Sequence, residues 1–245
     1  MAECQPNMLI CTEARITCDV TDPEIKIDGY NTLRSNADSR HSGGVVVYYR
    51  EHMNITLLTD HVDGYDHMLV FEVLSSCCRG VWVGIYHSPS ASDTDFLSNF
   101  ESAVEPLLSM CKPLTITGDF NINMHANNPV NTYKQRLKRF ESSRSMKQLI
   151  TDFTRITATS KTTVDLFFTN NHTLTAHTSE NNVIADHKMI IVSKRIIYRD
   201  YHRKRIPDRS KLTASNFQQL IRPKLDSCVF NDDINERARL IEFSQ

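Results

Sequence analysis

The sequence predicts an α/β sandwich built from mixed β-sheets. Short β-type runs separated by turn residues dominate the chain up to Tyr86, and two amphipathic helical segments follow. Strands therefore come in runs with helices between them. A regular parallel βαβ array would alternate strand and helix throughout, so we expect layered mixed sheets instead.

The predicted strands are apolar, β-branched runs bounded by turn-forming residues such as Asp63-Gly64. Aromatic and β-branched side chains favour the pleated surface of a half-buried sheet. In chain order the strands are Met8–Thr12, Gly43–Tyr49, Asn54–Thr59, Met68–Leu74, Val81–Tyr86, Leu114–Thr117, Thr163–Thr169 and Lys188–Ile197.

Two longer segments have the periodicity of helices. The first, Asp93–Met110, follows a capping residue at Ser92 or Asp93 and has an apolar stripe at three- and four-residue spacing. The second, Thr132–Lys147, is strongly basic. Its charges predict either a solvated face or a surface that contacts phosphates.

The composition of the chain changes near Ile197, which predicts two regions. Residues 1–197 form the expected domain, and residues 198–245 form a linker-like basic tail. Within this tail, Arg199–Lys211 is rich in charge, and two short amphipathic helices are expected at Ser215–Leu225 and Ile234–Phe243.

The overall composition excludes several protein classes. Apolar residues make up 40% of the 245 residues and the net charge is −1, which is ordinary for a globular protein. Residues 1–125 contain 7 Lys/Arg and 17 Asp/Glu, whereas residues 126–245 contain 21 and 12. This asymmetry predicts a cation-binding acidic half and a polyanion-facing basic half, or two faces that neutralise each other.

The chain shows no secretory signal and no apolar run long enough to span a membrane, so we expect no membrane partner. The 7 cysteines include no C-x-x-C pair. They are expected to be reduced thiols in an intracellular protein, cytoplasmic or nuclear.

Four short segments place polar residues at the ends of apolar strands, where a rigid scaffold can present catalytic groups. They contain Glu13, the pair Asp119 and Asn121, Asp165, and the pair Asp186 and His187. Each segment taken alone is better explained by turn chemistry or by an exposed strand end. Their order along one chain is the informative observation.

This ordered set resembles the endonuclease/exonuclease/phosphatase superfamily, and in particular the endonuclease domain of non-LTR retrotransposons. The intervening segments GGVVVYYRE, GIYHSPSAS, ITGDFNIN, TRITATSKTTVDLFFTN and ADHKMIIV strengthen the resemblance, which spans about residues 8–197. It implies a four-layer α/β sandwich with two mixed, mostly antiparallel sheets. It also implies metal-dependent cleavage of phosphodiester bonds.

The resemblance assigns a role to each matching residue. Glu13 and Asp186 would hold Mg²⁺, with Mn²⁺ as the alternative, because hard carboxylate oxygens suit these ions. The remaining matches are Tyr86 at the scissile phosphate, Asp119 and Asn121 at the attacking water, and His187 oriented by Asp165. The implied partner is DNA, and the parent element would also carry a reverse transcriptase, which is absent from this sequence.

The sequence departs from the family pattern at two places. Only 12 residues precede Glu13, so the family's first strand and helix are expected to be missing. Ala185 stands where the family usually has serine before the Asp-His pair.

The sequence therefore predicts a metal-dependent DNA endonuclease that nicks target sites, truncated at its N-terminus. Two alternatives remain open: a catalytically inactive nucleic-acid-binding remnant, and another phosphoesterase of the superfamily, either a phosphatase or a deadenylase.

Overall fold

The computed structural model of the chain describes residues 5–63, 66–184 and 186–194. The predicted tail at residues 198–245, with its linker and two short helices, lies outside the described residues, and so does Ala185.

The described strands are, in chain order, β1 (Met8–Thr12), β2 (Tyr30–Ser35), β3 (Val45–Arg50), β4 (Ile55–Asp63), β5 (Asp66–Val73), β6 (Gly80–Tyr86), β7 (Leu114–Asp119), β8 (Lys147–Gln148), β9 (Arg155–Ile156), β10 (Lys161–Thr162), β11 (Asp165–Thr169), β12 (Leu174–Ile184) and β13 (His187–Lys194). The helices are α1 (Asp93–Leu108) and α2 (Thr132–Ser143), and a short 3-10 helix covers Asp22–Ile25.

Both predicted helices are confirmed, and each begins at a capping side chain. The Ser92 hydroxyl accepts a hydrogen bond from the Asp95 backbone N–H at the start of α1, and the Asn131 side chain accepts one from Lys134 at the start of α2. Helix α2 ends earlier than predicted. Ser145 has a left-handed φ of 51°, and the chain then turns into strand β8.

The strands form one large sheet and two small ones. The large sheet has six strands in the order β4-β5-β6-β7-β11-β8, and the pairing of β6 with β7 is parallel. The small sheets have the orders β1-β3-β2 and β10-β9-β13-β12, with antiparallel pairing. Within residues 5–63, 66–184 and 186–194, no strand joins β1 to β13, so the small sheets stay separate.

Two apolar clusters lie on opposite faces of the six-stranded sheet. On one face, Phe96 and Phe100 of α1 and Phe140 of α2 pack against sheet residues such as Phe168. The other face packs against both small sheets: Val45 and Val47 of β3 and Leu174 of β12 join a cluster with Trp82 and Phe167. The small sheets thus act together as one layer, and the predicted α/β sandwich with mixed, mostly antiparallel sheets is confirmed.

Five strands of the structure were not predicted: the two-residue strands β8, β9 and β10, and the longer strands β2 and β12. Strand β2 has the sequence YNTLRS and β12 has LTAHTSENNVI. Strands β2 and β12 contain few β-branched apolar residues, so their sequences lack the usual strand pattern.

No helix in the described part of the chain is long and apolar enough to cross a membrane.

Candidate active site

Strand pairing in the large sheet brings three of the predicted site residues to the same end of neighbouring strands. Tyr86 closes β6 and lies opposite Asp119, which closes the parallel strand β7. Asp165 opens the antiparallel strand β11 and also lies opposite Asp119. The tertiary structure therefore places Asp119 between Tyr86 and Asp165, which are distant from it in the sequence.

Gly118 makes this arrangement possible because the chain approaches β6 very closely there. Its φ is +144°, and a Cβ atom at this position would lie 1.9 Å from the backbone oxygen of Ile85. Real Cβ atoms do not come this close to backbone oxygens, so only glycine fits. The residue before Asp119 thus sets the distance between β6 and β7.

Asp119 and Asn121 form a compact hydrogen-bonded pair. The Asn121 backbone N–H donates to Asp119 Oδ1 at 2.9 Å, and its side-chain amide donates to Asp119 Oδ2 at 3.2 Å. Asn121 has a left-handed φ of 48°, which asparagine tolerates better than most residues. Asp119 is only 4% exposed, and burial together with the neighbouring Asp165 raises its pKa to about 7.

His187 is held by Asp165 through one of its ring nitrogens. Its Nδ1 lies 2.8 Å from Asp165 Oδ2, and the hydrogen bond raises the pKa of His187 above its ordinary value. Asp165 is itself fixed, because its backbone N–H donates to the Thr154 hydroxyl at 3.0 Å. The bond at Nδ1 leaves the Nε2 side of the ring for another partner, and Asp186 Oδ1 is 3.9 Å from it.

Asp186 is paired with an arginine that the sequence pattern did not single out. The Arg155 Nε donates to Asp186 Oδ2 at 2.7 Å, and this hydrogen bond lowers the pKa of Asp186. The pair is partly open to solvent, since the side chains of Arg155 and Asp186 are 39% and 35% exposed. The pairing of β9 with β13, at Arg155 and His187, brings this guanidinium to the site.

Glu13 lies close enough to Tyr86 to act on its hydroxyl electrostatically. Burial and the nearby Glu13 raise the pKa of Tyr86. Glu13 also has a cationic partner: the Arg15 guanidinium donates to Glu13 Oε1 at 2.7 Å. Both residues have left-handed backbone angles, with φ of 52° and 58°. These two angles turn the chain directly after β1.

His87 is a second residue that the sequence pattern did not single out. Its ring lies between Asp66 and Asp93, and its backbone joins Tyr86 to the Asp119–Asn121 pair. Burial lowers the pKa of His87, but the hydrogen bonds with these two carboxylates outweigh this effect, and the pKa of His87 is raised. The sequence offered no signal for this contact, because the three residues lie in separate segments.

The donor set of the site suits a divalent metal ion. Asp119, Asp165 and His187 offer ligand atoms that all lie within 4.8 Å of one another. Asp119 is a buried carboxylate facing a second carboxylate, an arrangement that a cation would stabilise. Glu13 and Asp186, the ligands predicted from sequence, fall outside this group but are partly open to solvent, with side chains 35% exposed in both cases.

Residues 81–191 match the family model described as endonuclease-reverse transcriptase. This match includes the predicted residues Tyr86, Asp119, Asn121, Asp165, Asp186 and His187. No curated protein sequence matches the chain.

Solved structures share the fold at low sequence identity. The endonuclease domain of TRAS1, a telomere-specific non-LTR retrotransposon, is 14% identical with a TM-score of 0.61, covering 77% of this chain and 85% of that one. An AP endonuclease from Archaeoglobus fulgidus is 10% identical with a TM-score of 0.59, covering 78% and 90%. The Xenopus laevis APE2 catalytic domain is 16% identical with a TM-score of 0.57, covering 77% and 84%.

The sequence match, the sandwich fold and the clustered Asp119, Asp165 and His187 agree with one another. Residues 81–191 therefore match the endonuclease-reverse transcriptase family, and the chain shares the fold of the endonuclease/exonuclease/phosphatase superfamily.

Proposed function

We propose that the chain is a divalent-metal-dependent endonuclease that hydrolyses phosphodiester bonds in DNA. The single observation that carries this proposal is the contact of Asp119, Asp165 and His187 at one end of the large sheet. A buried carboxylate with a pKa of about 7 beside an oriented imidazole supplies the two proton-handling groups that phosphodiester hydrolysis needs.

Asp119 is the proposed base for the attacking water. A pKa of about 7 lets it accept a proton near neutral pH, as water oxygen forms its bond to phosphorus. Asn121 donates to both Asp119 Oδ2 and the His87 carbonyl, so its amide orients the base. The P–O3′ bond breaks in the same reaction, and by family resemblance the products are a 5′-phosphate and a 3′-hydroxyl.

His187 is the proposed hydrogen-bond donor to a phosphate oxygen. The Asp165 contact at Nδ1 raises the pKa of His187, which favours the protonated ring with a proton at Nε2. Its positive charge then offsets the negative charge that builds up on the phosphoryl oxygens. The hydroxyl of Tyr86, at the neighbouring strand end, is the proposed second contact to the phosphate.

Glu13 and Asp186 are the proposed ligands of Mg²⁺, with Mn²⁺ as the alternative. Their carboxylates flank the site and remain partly exposed, and hard oxygen atoms are the ligands that these ions prefer. His187 is not among the proposed ligands because its Nε2 is the proposed donor to a phosphate oxygen. When bound, the ion supplies positive charge that polarises the scissile phosphate.

A plasmid-nicking assay tests the proposal. We expect the full chain to convert supercoiled plasmid to the nicked form with Mg²⁺ or Mn²⁺ and to stop when EDTA is added. Asp119→Ala and His187→Ala should remove nicking, whereas His172→Ala, at an exposed histidine, should not. Turnover of an inositol lipid or of poly(A) without any nicking would identify a phosphatase or a deadenylase instead.

A catalytically inactive nucleic-acid-binding module is the second candidate. It is favoured by the ion pairs of both proposed metal ligands, Glu13 with Arg15 and Asp186 with Arg155. In that case the parent chain and both alanine variants would be equally inert, and all three would bind DNA with a steep dependence on salt.

A further inference from the structure

The His87 ring is completely buried, yet both of its nitrogens contact carboxylates. Nδ1 lies 2.6 Å from Asp66 Oδ1, and Nε2 lies 2.9 Å from Asp93 Oδ1. Ionised carboxylates accept hydrogen bonds and cannot donate them, so with both aspartates ionised each ring nitrogen carries a proton. In that state His87 is an imidazolium held from two sides.

These contacts join three elements of the fold. Asp66 is the first residue of β5, His87 follows the last residue of β6, and Asp93 is the first residue of α1. The ring also stacks on Phe96 of α1, with centroids 4.0 Å apart and planes within 7°. Because charged hydrogen bonds are shorter and stronger than neutral ones, His87 has very little freedom to move.

The His87 backbone reaches the candidate active site through both its N–H and its carbonyl. The N–H donates to the Asp119 carbonyl at 2.8 Å, and the carbonyl accepts from the Asn121 side-chain amide at 2.7 Å. Tyr86 is its immediate neighbour in the chain. The side chain of His87 is thus held by Asp66 and Asp93, and this fixes the His87 carbonyl that accepts the hydrogen bond from the Asn121 amide.

We propose that His87 is a positioning residue: the Asp66–His87–Asp93 bridge holds the carbonyl that orients Asn121, and through Asn121 it holds the carboxylate of Asp119. The catalytic consequence rests on the proposed function. The contact between His87 and Asn121 does not rest on the proposed function, so one experiment tests the contact and another tests its catalytic consequence.

The simpler view is that His87 only stabilises the fold. Removing one partner of a buried ion pair is destabilising in any protein, so a loss of stability alone would not separate the two views. They differ in what happens at Asn121. A positioning role requires that changes at His87 alter the Asn121 amide and act on the reaction through it, whereas a purely structural role does not.

Nuclear magnetic resonance of the full chain tests the contact without using activity. The Asn121 side-chain amide signal is identified by its loss in Asn121→Asp. We expect it to shift in His87→Gln and in Asp93→Asn, because the carbonyl that it contacts is released. It should stay in place in Asp95→Asn, which removes a charge from the same first turn of α1 at an exposed position. An unshifted Asn121 amide in folded Asp93→Asn would overturn the proposal.

Nicking kinetics test the catalytic consequence. We expect His87→Gln to lower kcat by about tenfold, a loss typical of residues that hold site groups in place, with KM for DNA unchanged. The double variant His87→Gln/Asn121→Ala should be no slower than Asn121→Ala alone, because both changes remove the same interaction. Losses that multiply in the double variant would show independent effects and contradict positioning through Asn121.

Two controls keep the outcomes distinct. If His87→Gln does not fold, as judged by circular dichroism, Asp93→Asn replaces it in both experiments because it keeps the Asp66 contact. If the parent chain does not nick DNA, the proposed function fails, and the Asn121 amide signal still decides whether the bridge positions this residue.

Discussion

Asp119 is the residue at which stability and the proposed chemistry oppose each other. Its carboxylate is buried, lies opposite Asp165 on the next strand, and accepts both of its described hydrogen bonds from Asn121. His187 and Arg155 offset only part of the cost of burying this charge, which is a disadvantage for folding. The same environment gives the group the pKa of about 7 that a base requires.

Asp119→Asn should therefore separate activity from stability. We expect the variant to lose nicking and, in metal-free buffer at pH 8, to be more stable than the parent by about 1 kcal/mol or more, since it removes a buried charge that is only partly compensated. Chemical denaturation measures the free energy of unfolding. A clear loss of stability in the variant would contradict this interpretation of Asp119.

The pH dependence of the protein's stability follows from the raised pKa of Asp119. The pKa of Asp119 is about 7 in the folded protein and about 4 in the unfolded chain, so the folded state binds the proton more tightly. The stabilising contribution of the protonated form is complete below about pH 4 and is lost as the pH rises towards about 7. The difference in unfolding free energy between Asp119→Asn and the parent should therefore grow across this range, and denaturation at several pH values measures it.

The metal ligands give a second prediction at the scale of single residues. In isothermal titration calorimetry with Mn²⁺, Glu13→Gln should weaken binding by about tenfold or more, because it removes one hard, charged oxygen ligand. Glu51→Gln, at an exposed glutamate, is the matched control. If Asp165→Asn weakens binding while Glu13→Gln does not, the ion is held by the group of Asp119, Asp165 and His187 instead.

At the scale of elements, the contact between β6 and β7 is the most sensitive point of the site. A methyl group on Gly118 would lie 1.9 Å from the Ile85 oxygen, and the parallel strands would have to separate. We expect Gly118→Ala to destabilise the protein by several kcal/mol and to remove nicking.

Gly29→Ala is the comparison for this variant. Gly29 also has a positive φ, of +79°, but the nearest atom to an added Cβ is a terminal nitrogen of the Arg50 side chain at 3.2 Å, which can move. We expect a smaller loss of stability and retained nicking. Thermal unfolding followed by circular dichroism measures both variants, and equal losses would show that strand separation is not the cause.

Elements with a strong local pattern were predictable from sequence, and those defined by their neighbours were not. Strand β6 was predicted because it is a short continuous run of β-branched and aromatic residues, and helix α1 because its apolar residues recur with the period of a helix. Strand β12 contains only scattered apolar residues and forms through its pairing with β13. Pairing of this kind depends on the whole fold and leaves little trace in a short window of sequence.

At the scale of the whole molecule, ion pairs between the two halves of the sequence neutralise part of the charge asymmetry. Arg136 and Arg144, in and directly after the basic helix α2, pair with Glu101 and Glu105 of the acidic helix α1. Lys134 is buried, and its ammonium group donates to the carbonyls of His125 and Asn128. These basic residues serve the fold, which leaves the exposed Lys138 and Arg139 of α2 as the candidates for contact with phosphate.

This division predicts two different responses to mutation. Lys138→Gln/Arg139→Gln should weaken DNA binding and reduce the slope of log affinity against log salt concentration by about 1 for each phosphate that is no longer neutralised. Arg136→Gln/Arg144→Gln should leave the slope unchanged and lower stability by about 1 kcal/mol or less per pair, since the pairs are partly exposed. Fluorescence anisotropy at several salt concentrations measures the slope. An unchanged slope in the first variant would exclude this helix from the interface.

Short motifs in a specific order predicted the fold class, which the structure confirms, and they supplied the resemblance from which the candidate residues Glu13, Tyr86, Asp119, Asn121, Asp165, Asp186 and His187 were taken. The surroundings of these residues depend on how the chain folds. The pairing of β9 with β13 brings Arg155 to Asp186, and the meeting of β5, β6 and α1 places His87 between two carboxylates. Such contacts join segments far apart in the chain, so they exist only once the strands are paired and the core is packed.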